Sequence, residues 1–245
     1  MFQVKWVRTV LVLLILLTIW QIAVNLSNIP PYVLPDPISI LKAGFQHYPL
    51  IIKETGFTVI EILLGLIFGA LFGITAALIV DFFRPLRYWL LPILLITQVL
   101  PIFAIAPLLV IWLGYGLTSK IVTILLMLFF PITSSFLDGL RRTPIQYLEM
   151  ANIMNAKRVQ LFWHIKIPAA LPNLASGLRI ACIFAPMGAL ISEWVGAKHG
   201  LGLLMIKADL KMQIDLMFCC LFVIASIGLL LYFSINKLLK RWITW

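Results

Sequence analysis

The sequence is a series of long apolar runs separated by short segments that carry most of the charges. A transmembrane α-helix needs about 20 predominantly apolar residues. The pattern therefore predicts six transmembrane helices, at approximately residues 8–27, 56–81, 88–114, 118–138, 176–196 and 214–236. The chain is 62% hydrophobic and only 11% charged, whereas soluble domains are about half apolar and about a quarter charged. We predict an all-α integral membrane protein with a single transmembrane domain over residues 1–245.

The positions of the cations predict the orientation of the chain. If the N-terminus is cytoplasmic, 13 of the 19 Lys and Arg residues, including every Arg, fall in cytoplasmic segments, as the positive-inside rule requires. This predicts a multi-pass protein of the cell inner membrane with both termini in the cytoplasm. The net charge of +10 would also suit a nucleic-acid-binding protein, but such proteins concentrate their cations in one stripe or tail. Here the cations are spread among short loops, so we expect no nucleic-acid partner.

The second predicted span carries a repeat of small residues. Gly65, Gly69 and Gly73 are four residues apart and share one face of a helix. Small residues at this spacing allow two membrane helices to approach closely. We predict that these three glycines are helix-packing residues.

Several spans contain residues that would be expected beside a transport route. The third span carries prolines at 92, 101 and 107, and Pro186 is expected to interrupt the fifth. Breaks at membrane depth are tolerated where the backbone lines a cavity or is buried in protein. Polar residues within spans are candidates for contact with a solute, and the predicted translocation path consists of Gln98, Ser134, Ser135 and Glu193. The alternatives are hydrogen bonds between helices for the first three, and a water-exposed carboxylate at the membrane surface for Glu193.

Residues 139–175 form a polar, basic segment on the predicted cytoplasmic side. Thr143, Pro144 and Gln146 have the spacing of a capping box with proline at the first helical position, which predicts a short helix. Asn155 is expected to end this helix in the left-handed conformation. A second short helix is expected to follow and to stop at Pro168. Such a helical corner either binds a partner or rests on anionic lipid.

The sequence of this corner resembles the EAA signature of binding-protein-dependent ABC transporter permeases. The matching residues are Glu149-x-Ala151, Asn155 six positions after Glu149, and Ile165-x-Ile167-Pro168. In this sequence Met150, Asn155 and Ile167 stand where the signature has Ala, Gly and Leu. The blocks VLPDPISI, QVLPIFAIAPLLVIWLGYG, LFWHIKIPAALPNLASGLRIA and ALISEWVGAKHGLG also resemble the nitrate, sulfonate and taurine branch, which includes permeases for thiamine-precursor pyrimidines. The similarity covers most of residues 30–235.

The resemblance implies the architecture of an ABC type I importer permease, in which the cytoplasmic corner is a coupling helix that docks on a separate ATPase subunit. It assigns this role to Glu149, Ala151 and Asn155. The full set of coupling residues that we predict is Tyr147, Leu148, Glu149, Ala151, Ile153, Met154, Asn155 and Ala156.

The resemblance also implies the partners of the chain. They are a second copy of this permease, two copies of the ATPase and a solute-binding protein on the outer side. The chain has no G-x-x-x-x-G-K-[ST] phosphate loop, the motif with which ATPases bind the nucleotide phosphates. We therefore expect it not to be an enzyme and to hold no cofactor, with ATP and Mg²⁺ bound by the partner.

Two other classes of protein fit the sequence less well. An ATP-independent secondary transporter or channel would be expected to show paired intramembrane charges or inverted repeats, and neither is evident. A membrane enzyme would need His, Cys or acidic residues clustered at one depth. The three histidines lie in three different loops, and the three cysteines lack the spacing of metal ligands, so no metal site is predicted.

The identity of the solute is the least constrained part of the sequence-based prediction. In the resembling branch, specificity resides largely in the binding protein. The spans show no obvious cation near their middle, which favours a neutral or aromatic solute over a strongly anionic one. We expect a thiamine-precursor pyrimidine, with a sulfonate, taurine or nitrate as the alternative.

Overall fold

The computed structural model of the chain describes residues 2–27 and 29–242, and every regular element in these ranges is a helix. A π-helical turn at Phe162–Lys166 joins α8 to α9. In chain order the helices are α1 (Phe2–Ser27), α2 (Pro37–Gln46), α3 (Tyr48–Phe82), α4 (Arg84–Val99), α5 (Ile102–Leu113), α6 (Leu117–Arg141), α7 (Ile145–Ile153), α8 (Arg158–Leu161), α9 (Ile167–Gly196), α10 (Leu201–Leu210) and α11 (Ile214–Trp242).

Four helical stretches among the described residues are long and apolar enough to cross a membrane, judged by length and composition: Tyr48–Phe82, Leu117–Arg141, Arg158–Gly196 and Ile214–Arg241. Leu14–Ser27 and Ile102–Leu113 are shorter apolar helices. At the centre of the bundle, α6 lies between α3 and α9 and packs most extensively against these two. α11 packs on the other side of α9. We call the two ends of this bundle the α7 end and the α10 end, after the short helix found at each.

The contact between α3 and α6 is made along the three predicted glycines. Gly65, Gly69 and Gly73 are all buried on one face of α3. A Cβ added at Gly65 would overlap an α6 side chain, and one added at Gly69 or Gly73 would meet α6 at 3.1 or 3.0 Å. The α6 side chains at these positions are, in the same order, Ile124, Leu128 and Ile132, and all three are fully buried.

The segment after the N-terminal prolines forms α2. Asp36 caps this helix, because its carboxylate accepts a hydrogen bond of 2.7 Å from the backbone N–H of Ser39. This hydrogen bond holds the pKa of Asp36 below its ordinary value. α2 buries Ile40 and Ala43 and packs against α11.

The predicted effects of the prolines are only partly correct. The third predicted span is divided, with α4 ending at Val99 and α5 beginning at Ile102, so Pro101 marks a break. Pro186, by contrast, lies buried inside an uninterrupted α9, and the prediction that it breaks this helix is wrong. A Cβ added at Gly228 of α11 would meet the Pro186 ring at 3.2 Å, so the ring is used as a packing surface.

Pro168 does not stop the second helix of the cytoplasmic corner. The helix continues from Arg158 through Pro168 to Gly196. Proline normally interrupts a helix because it lacks an N–H and its ring clashes with the carbonyl four residues earlier. Here the preceding turn is π-helical, and the Ile167 N–H donates to the carbonyl of Phe162, five residues back. The wider turn makes room for the ring, so the helix is not broken.

The capping box predicted before α7 is absent. α7 begins at Ile145, and Pro144 precedes it without a side-chain cap. The Thr143 hydroxyl instead donates backwards to the Leu140 carbonyl at 3.1 Å. Thr143 is buried against the end of α6, so it completes that helix rather than starting the next one.

Candidate functional site

α7 ends in a tight left-handed corner. Asn155 has φ of +53°, and its N–H donates to the carbonyl of Asn152 at 3.0 Å. The N–H of Ala156 donates to the carbonyl of Ala151 at 2.9 Å. These two hydrogen bonds form a Schellman motif, which pairs carbonyls that the end of a helix would otherwise leave free. The predicted left-handed conformation of Asn155 is confirmed.

The surface of α7 is apolar and open. Ile153 is 82% exposed and Met154 is 71% exposed. Large apolar side chains grouped on an exposed surface mark a site of contact with another molecule. The exposed apolar side chains of this helix and its C-cap are Ile145, Tyr147, Met150, Ile153 and Met154. Of the other predicted coupling residues, Glu149 and Asn155 are exposed, Leu148 and Ala156 are partly buried, and Ala151 is buried.

Side chains after the corner attach it to the end of α3. The Arg158 guanidinium donates to the carbonyl of Phe82 and lies 5.2 Å from the centre of the Phe82 ring. Phe82 also packs edge-on against Phe162, with 5.2 Å between the ring centres. Lys166 forms an ion pair with Asp81. We call these five residues the α3 anchor; through it, a displacement of the corner reaches α3 as well as α9.

At the α10 end, polar side chains are buried between three helices. We call the polar cluster Glu54, Thr58 and Glu61 of α3, Lys120 of α6 and Glu193 of α9. The Glu193 side chain has no exposed surface. Its carboxylate accepts hydrogen bonds from the Thr58 hydroxyl at 2.6 Å and from the Gly202 N–H at 2.5 Å. Thr58 in turn accepts from the N–H of Leu201 at 2.9 Å.

The rest of the polar cluster holds the preceding part of the same loop. Lys120 donates to Glu61 at 2.5 Å and to the carbonyl of His199 at 3.2 Å. Glu54 accepts from the N–H of Gly200 at 2.6 Å. Gly200 has φ of +126°, and a Cβ added there would overlap the Glu193 carboxylate, so this position requires glycine. Segment 197–202 is therefore fixed by side chains from α3, α6 and α9.

The carboxylates and histidines of the described residues do not form a metal site. In that part of the chain, no group of three or more His, Cys, Asp or Glu side chains has an arrangement that could hold a metal ion.

Residues 69–244 match the profile of a family described as the binding-protein-dependent transport system inner membrane component. The chain belongs to this family. It is 47% identical to a probable ABC transporter permease protein of Haemophilus influenzae over 98% of both chains. It is 33% identical to the formylaminopyrimidine transport permease protein ThiX of Halalkalibacterium halodurans, over 95% of this chain and 93% of that one. It is also 34% identical to the riboflavin transport system permease protein RibX of Chloroflexus aurantiacus, over 94% and 88%.

The fold agrees with this assignment. The chain is similar to an inward-facing structure of the MetNI methionine ABC transporter, with a TM-score of 0.66 and 19% identity over 75% of this chain and 92% of the other. The protein is thus the membrane-spanning permease subunit of an ABC importer. No finding supports the alternative of an ATP-independent transporter or channel.

The predicted path residues whose side chains the structure describes lie on two different helices of the permease. Ser134 and Ser135 are partly buried in α6, and the Ser134 hydroxyl lies 3.5 Å from the carbonyl of Pro131. Glu193 belongs to the polar cluster at the α10 end. Gln98 lies in α4, but its side chain is outside the described part of the structure. The translocation path therefore stays a prediction.

The structure also reveals a cation within a span that the sequence-based prediction did not recognise. α9 begins at Ile167, nine residues before the predicted start of the fifth span, so Arg179 lies 12 residues after the start of this helix. Gly177, two residues earlier, packs against Pro131 and Ser135 of α6. The Arg179 Nε is buried and has no hydrogen-bond partner among the described residues. The expectation that the middle of the spans carries no cation stays a prediction.

Proposed function

We propose that two copies of this permease form a homodimer around the transport route, with two ATPase subunits at the α7 end and a solute-binding protein at the α10 end. In this arrangement the α7 end and both termini are cytoplasmic. The positive-inside pattern supports this orientation, since Arg141, Arg142 and Arg158 all lie at the α7 end. ATP and Mg²⁺ bind to the ATPase, and the permease itself carries no cofactor.

The observation that carries the proposal is the exposed apolar face of α7. Ile153 and Met154, at 82% and 71% exposed, are placed in water rather than in lipid if α7 is cytoplasmic. If a groove on the ATPase receives these side chains, each one that becomes fully buried would stabilise the complex by about 1.5–3 kcal/mol. The Schellman corner at Asn155 gives this face a fixed shape, which reduces the entropy lost on docking.

The internal contacts of the permease suggest how the ATPase drives transport. α7 is joined to α6 on one side and, through α8, to α9 on the other, and the α3 anchor adds a third connection. When ATP binding moves the docking surface of the ATPase, all three core helices receive the displacement. ATP binding and hydrolysis then bias the permease between inward-open and outward-open states.

Purification of the permease with its ATPase tests this proposal. We expect the ATPase to co-purify with the native chain and to be lost when Ile153→Asp is introduced. Leu210→Asp is the matched control, because Leu210 is similarly exposed, at 79%, but lies at the α10 end. The proposal fails if the ATPase is absent from the native preparation, or if Leu210→Asp releases it as readily as Ile153→Asp.

For the solute, we propose a thiamine-precursor pyrimidine. The similarity to a formylaminopyrimidine permease supports this choice, and the riboflavin permease is a second relative named for a nitrogen heterocycle. Arg179 favours the second candidate, a sulfonate, taurine or nitrate, because a guanidinium within a span, with its Nε unpaired among the described residues, would attract an anion.

Uptake by the reconstituted transporter distinguishes the two solutes. Radiolabelled pyrimidine and taurine are offered to vesicles that contain the permease, its ATPase and its binding protein. We expect uptake of the pyrimidine, which Arg179→Gln leaves largely intact. Uptake of taurine alone, abolished by Arg179→Gln, would establish the second candidate instead.

A further inference from the structure

The polar cluster contains more carboxylates than nearby cations. Glu54, Glu61 and Glu193 are 8, 3 and 0% exposed, and Lys120, at 7%, is the buried cation that contacts them. The ring of His199 lies 3.5 Å from Glu54, but its side chain is 47% exposed. Lys198 lines a cavity with Glu61, and Lys207 and Lys211 line one with Glu54, but all three lysines are exposed to solvent. Even with His199 protonated, three ionised carboxylates would leave one negative charge without a buried partner in the cluster. Burial of an unpaired charge is costly, and a carboxylate in this situation takes up a proton instead.

The hydrogen bonds indicate where this proton resides. Both oxygens of Glu193 already accept hydrogen bonds, and each oxygen of Glu54 faces a donor. Glu61 accepts from Lys120 through Oε1 alone. Its Oε2 is buried and has no donor among the described residues, and Thr58, about one turn before Glu61 on the same face of α3, donates to Glu193. Two carboxylates cannot share a hydrogen bond without a proton, because both are acceptors.

We propose that Glu61 and Glu193 form a proton-binding site, in which one proton shared between the two carboxyl groups completes the polar cluster and holds segment 197–202 in place. The proton converts a repulsive contact between α3 and α9 into a hydrogen bond. It also leaves Glu61 free to bind Lys120, and Glu193 free to accept from Thr58 and Gly202. Loss of the proton sets two adjacent negative charges against each other and releases the segment that leads into α10.

Infrared spectroscopy of the purified transporter tests the site directly. The carbonyl stretch of a protonated carboxylic acid is separate from that of a carboxylate, so one buried protonated carboxyl gives its own band. We expect this band at neutral pH in the native protein. We expect this band to be lost in Glu61→Gln and equally in Glu193→Gln. In each variant the amide N–H of the glutamine donates the hydrogen bond that the shared proton made before, so the remaining carboxylate stays ionised. Glu54→Gln is the matched control and should retain the band.

The alternative results are distinct. A band that is absent from the native protein overturns the proposal. If the band survives in Glu61→Gln, the proton belongs to Glu193 alone, and if it survives in Glu193→Gln, the proton belongs to Glu61 alone. Either result also overturns the proposal. None of these outcomes depends on the partners or the solute, so the test is separate from that of the proposed function.

A second measurement on the native protein covers the case in which the variants do not fold. As the pH is raised until the band disappears, we expect faster hydrogen exchange at the amides of Gly200, Leu201 and Gly202, which donate to the cluster. The increase in exchange should have the same midpoint as the loss of the band. If the band disappears while these amides remain protected, the proton does not hold the segment and the proposal is wrong.

Discussion

Replacement of Gly65 by alanine is expected to destabilise the bundle, although alanine is the better helix former. The added methyl group would overlap the side chain of Ile124. Ile124 is fully buried in a cluster with Ile62, Leu128 and residues of α9, so it has little space into which it could move. Gly56, in the same helix, has no atom within 4 Å of an added Cβ, which makes Gly56→Ala the matched control.

The two substitutions should change the free energy of unfolding in opposite directions. Insertion of a methyl group into a well-packed core costs about 1–3 kcal/mol, whereas a glycine in an open helical position is about 0.5–1 kcal/mol less favourable than alanine. The helix-propensity gain is common to both variants, so the free energy of unfolding of Gly65→Ala should lie about 1–3 kcal/mol below that of Gly56→Ala. Ile124→Ala removes the overlapping atoms, so we expect the double variant Gly65→Ala/Ile124→Ala to lose less stability than the sum of the single variants.

Unfolding of the purified chain in mixed micelles, by titration with a denaturing detergent, measures these differences. Tryptophan fluorescence reports the transition. If Gly65→Ala proves as stable as Gly56→Ala, then α3 and α6 do not approach closely at this position. If the single-variant effects simply add in the double variant, the destabilisation does not arise from contact with Ile124.

Three further predictions concern the two ends of the bundle. Asn155→Val should lower the free energy of unfolding by about 1–2 kcal/mol because of the left-handed backbone, whereas Asn155→Gly should be neutral or stabilising; thermal unfolding of both variants checks this. The cap at Asp36, whose pKa is lowered by the Ser39 N–H, stabilises the fold fully above the ordinary value of 3.8 and less as the pH falls through the lower folded value. The stability difference between native and Asp36→Ala proteins should therefore shrink in acid, and a pH-independent difference would contradict this. Finally, a double-mutant cycle of Asp81→Asn and Lys166→Met should give a coupling energy of about 0.5–3 kcal/mol, and a value near zero would show that the ion pair does not contribute to the α3 anchor.

The sequence was sufficient to predict the helical membrane fold, because apolar runs of the required length leave few alternatives. The corner at Asn155 was also predictable, since asparagine tolerates positive φ better than most residues. The ends of the helices were less predictable. The continuity of α9 through Pro168 depends on a π-helical turn, and neither Phe162 nor Ile167 signals such a turn in the sequence.

The polar cluster was missed for a different reason. Glu54, Thr58 and Glu61 are spaced four and three residues apart, so they share a face of α3, and this pattern is visible in the sequence. Lys120 is the third residue of the predicted span 118–138, where a lysine side chain is expected to reach the water at the end of the helix. Only the structure shows that it turns inward to Glu61. Local pattern therefore identifies a polar face, but the partner of that face is a tertiary contact between residues distant in sequence.

The residue types on the buried face of α3 change along the helix, and each end of the helix has its own link to α9 or to the turn before α9. It carries the polar cluster at the α10 end, glycines against α6 in the middle, and Ala77 and Val80 near the α7 end. α3 is linked to α9 or to the turn before it at both ends, through Thr58 and Glu193 at one and through Asp81 and Lys166 at the other. Thr58 and Asp81 are 23 residues apart in α3, so at about 1.5 Å per residue these links are separated by roughly 35 Å. We therefore expect a displacement of the α7 corner to be transmitted along α3 and α9 to the polar cluster, where Lys120 links this pair to α6.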